Sequence, residues 1–116
     1  MNEQIKTEWI AALRSGEYPQ GKNQLRSDAG YCCLGVLCAL HAKAGLGEWG
    51  NVDFGAYVYL GDLQLPPEVV MVWAGLEPGT IPYVDGTAIT MLNDGIMHYD
   101  PSSSFVEIAD LIEEYL

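Results

Sequence analysis

Apolar positions along this chain change period from segment to segment. Ile5, Trp9, Ala12 and Leu13 recur every three or four residues, so residues 3–15 are predicted as an amphipathic helix. Asn2 suits its N-cap and Gly16 its end. After the loop Tyr18-Pro19-Gln20-Gly21, a second helix is predicted from Ser27 or Asp28 to about Ala44. Tyr31, Leu34, Leu37, Cys38 and His41 form its stripe, and Cys33, Val36 and Leu40 widen it. A helix apolar nearly all round is a central one. Gly35 inside it costs about 1 kcal/mol relative to Ala, which predicts a neighbouring element in close approach. Gly45 and Gly47 end the helix.

The period then falls to two. Val52, Phe54, Ala56, Val58 and Leu60 alternate with Asp53, Gly55, Tyr57 and Tyr59. This predicts one half-buried strand with Tyr57 and Tyr59 on its outward face. Pro66-Pro67-Glu68 opens a short helix carrying Val69, Val70, Val72 and Trp73, and Gly75 stops it. Ile81–Val84 and Thr87–Leu92 read as a hairpin closed by Asp85-Gly86 in a type I′ turn. A polar loop runs from Asn93 to Ser103. Ser104 and Glu107 form a capping box for a last helix, whose Phe105, Ile108, Ala109, Leu111, Ile112 and Leu116 face the core. The predicted fold is α+β: a single domain in the order α-α-β-α-β-hairpin-α, with the central helix at about 28–44 packed on a small antiparallel sheet.

Charge breaks the chain in two. All five basic residues, Lys6, Arg14, Lys22, Arg26 and Lys43, precede Ala44. The remaining segment holds twelve carboxylates, so the net charge of −11 arises there. Those carboxylates face water, where self-repulsion costs stability, or face something positive. Free nucleic acid is disfavoured as a partner, because that affinity rests on Lys and Arg neutralising phosphates. No stretch reaches the apolar length of a membrane span. The N-terminus lacks the apolar core of a secretory signal. Cys32, Cys33 and Cys38 are an odd, crowded set, unlike a disulfide framework, so a cytoplasmic location is expected.

Several residue sets could carry chemistry. Cys32 and Cys33 lie near a helix start, where the helix dipole lowers a thiol pKa. With His98 as base, and Asn93 or Asp94 orienting it, they would form a Cys-dependent hydrolase. Their apolar neighbours favour plain core packing instead. Cys38 and His41 lack the paired spacing of a zinc site, so no metal and no cofactor is expected. Gly45–Gly50 echoes a phosphate loop but follows a helix, which breaks that mechanism. Asn93-Asp94-Gly95 reads as a turn.

The blocks WIAALRSG at Trp9–Gly16, GYCCLGVLC at Gly30–Cys38, LPPEVVMVWAGL at Leu65–Leu76, LND at Leu92–Asp94 and SFVEIADLIE at Ser104–Glu113 together resemble a family of small tailed-phage and prophage proteins. The resemblance covers most of the chain and implies a protein acting inside a bacterium, often against host defence. It carries no catalytic residues.

The leading expectation is therefore a non-enzymatic binding protein whose acidic face docks on a basic surface of a host protein. Tyr57 and Tyr59 would anchor it, with Asp53, Asp62, Asp85, Asp94 and Asp100 around them. One alternative is a sponge for a small nucleotide signal, using Arg14, Lys22 and Arg26 on phosphates and Trp49 on the base. The other is the hydrolase. A homodimer is a further expectation.

Overall fold

The computed structural model of the chain describes residues 1–52, 54–95 and 102–116. The first helix, α1 (Glu3–Ser15), has the predicted bounds. Asn2 Oδ1 accepts the Ile5 N–H at 3.0 Å, and Gly16 closes the helix in the left-handed conformation. Ile5, Trp9, Ile10 and Leu13 are its buried face.

The second helix starts later than predicted. Residues from Arg26 form two short antiparallel strands, β1 (Arg26–Ser27) and β2 (Gly30–Tyr31), with Arg26 opposite Tyr31. Neither Ser27 nor Asp28 is a helix cap. The helix α2 (Cys33–Lys43) is capped by Cys32, whose Sγ accepts the Gly35 N–H at 3.3 Å. It is buried on nearly every side, as its all-round apolar surface requires. Gly35 does mark a close approach: a Cβ there would fall on the Leu25 carbonyl. Trp9, on α1, donates its Nε1–H to the Cys33 carbonyl at 2.9 Å, which fixes α1 against the start of α2.

The segment predicted as one strand is a hairpin of β3 (Trp49–Val52) and β4 (Ala56–Tyr59). Phe54 and Gly55 both take positive φ, at 67° and 72°, and turn the chain. Phe54 is consequently at the exposed tip instead of the core. The four strands form an antiparallel sheet in the order β2-β1-β4-β3. Tyr59 is fully buried, which overturns its expected outward placement. In the twisted sheet Tyr57 and Tyr59 share a face by alternation; the Tyr59 end meets α2 and the Tyr57 end is only half-buried.

The helix α3 (Glu68–Ala74) follows Pro67 and ends at Gly75, as predicted. The next hairpin is shorter than expected. Its strands are β5 (Tyr83–Val84) and β6 (Thr87–Ala88), and the chain then turns straight into α4 (Ile89–Asp94). Asn93 and Asp94 thus end a helix and are not a loop turn. The last helix, α5 (Phe105–Tyr115), has the full capping box: the Ser104 N–H donates to Glu107 and Ser104 Oγ accepts from the Glu107 N–H. Those bonds hold the Glu107 carboxylate below its ordinary pKa. α5 lies along α1, and α2 runs between α1, α3 and α4. The fold class is α+β, with the helices gathered around α2 beside a small antiparallel sheet. No helix of the described residues is long and apolar enough to cross a membrane.

Candidate functional site

Three features outside the plain core could carry function: a polar junction with an adjoining cleft, an arginine among aromatic rings, and an exposed apolar segment.

The junction is built on Asn93. It falls four residues after Ile89, on the buried side of α4, and is fully enclosed. A buried amide must be bonded on all sides. Its Oδ1 accepts from Gln20 Nε2 at 3.1 Å and from the Cys33 N–H at 3.2 Å. Its Nδ2 donates to the Gly21 carbonyl at 2.9 Å and to Asp94 Oδ1 at 2.8 Å. Gln20 Nε2 also donates to the Ser103 carbonyl at 2.8 Å. Asn93 thereby joins the 20–21 loop, the first turn of α2 and the end of α4, and Gln20 extends the junction to the approach to α5. Asp94 Oδ1 accepts a further bond from the Asn23 N–H at 3.0 Å. Asn23 sits in left-handed conformation, with φ 69°.

Beside this junction lies an open cleft of about 350 Å³. Asn23, Gln24, Gln64, Thr90 and Asp94 line it with polar groups, Leu65 and Ile81 with apolar ones, and Cys32 and Cys33 lie at its base. The cysteines are not activated there. Burial pushes the Cys32 thiol up to about 11, against the bonds from Gly35 and Leu34 that favour the thiolate. Burial likewise raises Cys33 and Cys38 well above the ordinary range. Desolvation outweighs the helix N-terminus at Cys32 and Cys33, and Cys38, in the middle of α2, has no such terminus to oppose it. His98 lies outside the described residues. Asn93, expected to orient it, has its whole bonding capacity engaged elsewhere. Cys38 and His41 are likewise committed: Cys38 to the core, and His41 to Tyr59.

The sponge residues do not assemble as one set. Arg14 is held by Asp110 and Glu113 at 2.7 and 2.6 Å, on the far side of α1, which raises its pKa. Lys22 is exposed in the loop before β1. Arg26 and Trp49 do meet. The Arg26 guanidinium lies over the rings of Tyr57, Tyr31 and Trp49, at 4.3, 4.9 and 5.4 Å from their centroids. Tyr57 Oη donates to Asp28 at 3.1 Å. Cross-strand pairing of Arg26 with both Tyr31 and Tyr57 produces this stack.

Of the carboxylates expected at a docking face, the three that are described sit on different elements. Asp62 closes the turn after β4, where its carbonyl accepts the Tyr59 N–H at 2.8 Å. Asp85 sits in the β5–β6 turn, and its carboxylate raises the pKa of Tyr115. Asp94 is part of the junction. Asp53 and Asp100 lie outside the described residues. The large apolar groups are more concentrated. Between β4 and the end of α3 the chain exposes Leu60, Leu63, Leu65, Val69 and Val72. Val69 and Val72 are 53% and 60% exposed and share a face of α3. Asp62 and Glu68 are exposed within the same segment. Alternation alone could not find this patch, because the valines of α3 are divided between the core (Val70) and the surface.

An α+β domain with a fully bonded asparagine at the junction of its helices is the class defined by this architecture. The chain belongs to the family described as a domain of unknown function (DUF8296), which matches it over residues 1–116. No curated protein and no solved structure matches the chain.

Proposed function

We propose that this is a non-enzymatic binding protein that docks on a basic, partly apolar surface of another protein. The observation that carries the reading is the exposed segment Leu60–Val72, where Leu60, Leu63, Leu65, Val69 and Val72 stand among Asp62 and Glu68. Large apolar groups held at a surface at this density are interface anchors. The charge of the chain guides the choice of partner: no Lys or Arg follows Lys43, so the charged side chains of this segment itself are carboxylates alone. Basic partners are drawn in faster and acidic ones are repelled. The setting we propose, taken from the resemblance of Gly30–Cys38 and Ser104–Glu113, is a phage-type protein in the bacterial cytoplasm that blocks a basic site of a host defence protein.

The raised thiol pKa values support binding over Cys-dependent catalysis. The test is capture of partners from bacterial lysate at low and high salt, by the wild type and by Val69→Ser/Val72→Ser. A basic protein retained at low salt, released by salt and lost with the double variant is the expected result. Equal capture by the variant contradicts the reading.

A further inference from the structure

We infer that the cleft at the start of α2 binds a compact, phosphate-free heterocycle carrying both N–H donors and acceptors, of the nucleobase class. This inference does not rest on the docking reading, since it concerns the isolated protein. The size, lining and hydrogen bonding of the cleft lead to it. The cleft, at about 350 Å³, is at the small end of the range for ligand pockets, which suits one ring system and its sugar. Its polar wall is made of amides, one hydroxyl and one carboxylate: Asn23, Gln24, Gln64, Thr90 and Asp94.

Among the described residues, the side chains of Asn23, Gln24, Gln64 and Thr90 have no hydrogen-bond partner, and neither does Asp94 Oδ2. Side-chain amides offer donor and acceptor together, and a carboxylate oxygen accepts from an exocyclic amine or ring N–H. This is the chemistry by which proteins read base edges. Leu65 and Ile81 give the ring an apolar wall.

The lining contains no Lys and no Arg. A phosphate would meet the Asp94 carboxylate with no cation in the lining to offset it, so the charge disfavours an anionic ligand. The position of Asp94 is not incidental: the Asn23 N–H and Asn93 Nδ2 both bond its Oδ1, which leaves Oδ2 as the outward acceptor. Anchoring one oxygen this way orients the other without ordering cost at binding.

The test is titration of the isotopically labelled protein with adenosine, guanosine, cytidine and uridine, and with their 5′-monophosphates, followed by amide NMR. We expect at least one nucleoside to shift the signals of Asn23, Gln24, Gln64 and Thr90. Gln64→Ala and Thr90→Val should each weaken it by about three- to tenfold, the equivalent of one neutral hydrogen bond. Both side chains lack intramolecular partners, so the variants keep the fold, as their unshifted core signals will report. The monophosphate should bind more weakly than its nucleoside. The inference is overturned if no nucleoside at millimolar concentration moves those signals, if the variants bind as the wild type does, or if the phosphate tightens binding.

Discussion

His41 Nδ1 and Tyr59 Oη lie 2.6 Å apart inside the protein, where α2 meets the sheet. Burial lowers the pKa of His41, and burial together with Cys38 pushes Tyr59 up to about 12. Both shifts favour the neutral forms, so a phenol donates to an uncharged imidazole. Trp49 stands edge-on to Tyr59 and Trp73 edge-on to His41, with centroids 4.9 and 5.0 Å apart. The pair thus links β4, α2 and α3 through aromatic contacts that exclude water.

Tyr59→Phe keeps the ring but strips the imidazole of its partner. Unfolding in urea should show a loss of about 1–3 kcal/mol, the cost of an unsatisfied buried polar group. Tyr57→Phe, which removes a hydroxyl facing exposed Asp28, should stay within about 0.5 kcal/mol of the wild type.

The same pair sets a pH dependence. A histidine whose folded pKa lies below its unfolded value binds its proton more readily when unfolded. Its contribution to stability is therefore present above the unfolded pKa of about 6.5 and is lost as pH falls toward the folded value. Thermal unfolding followed from pH 7.5 downward should show a falling midpoint below that point. In His41→Phe the slope attributable to this group should be absent.

Asn93→Ala should be among the most damaging single changes. It leaves the Cys33 N–H and the Gly21 carbonyl without partners and releases Gln20 from one of its two acceptors. A loss of about 3 kcal/mol is expected in chemical denaturation. Asn93→Asp should also destabilise, since a carboxylate cannot donate to the Gly21 carbonyl.

The helices with strong boundaries were legible in the residues. Asn2 and Gly16 bound α1, Gly75 ends α3, and Ser104 with Glu107 starts α5, each through a local bond or turn that needs no tertiary context. Gly35 was legible for a similar reason, because a glycine in an apolar helix has few other uses. The short strands were not. Two-residue strands such as Arg26–Ser27 and Gly30–Tyr31 carry no periodicity, and they displaced the predicted start of α2 to a cysteine cap. Alternation across Val52–Leu60 concealed the turn at Phe54, whose left-handed backbone is unusual for an aromatic residue. Tyr59 was misplaced as a consequence. Asn93 was named only as a partner for His98 and as a turn residue, and its buried role was missed: its position four after Ile89 signals the buried face only once α4 is recognised as a helix.

The cysteines supply a direct test against catalysis. With Cys32 raised to about 11 and its two neighbours also raised, the folded protein should react with iodoacetamide at pH 8 far more slowly than the same protein in denaturant. Rapid modification of Cys32 or Cys33 in the folded state, located by peptide mass spectrometry, would restore the hydrolase reading.

Docking through the proposed segment Leu60–Val72 can be read residue by residue. Amide hydrogen exchange of the protein alone and with its captured partner measures this most directly. Protection on binding should concentrate in residues 60–73, with α1 unchanged. Protection centred instead on α1, or on the Arg26–Tyr57 stack with residues 60–73 unaffected, would contradict it.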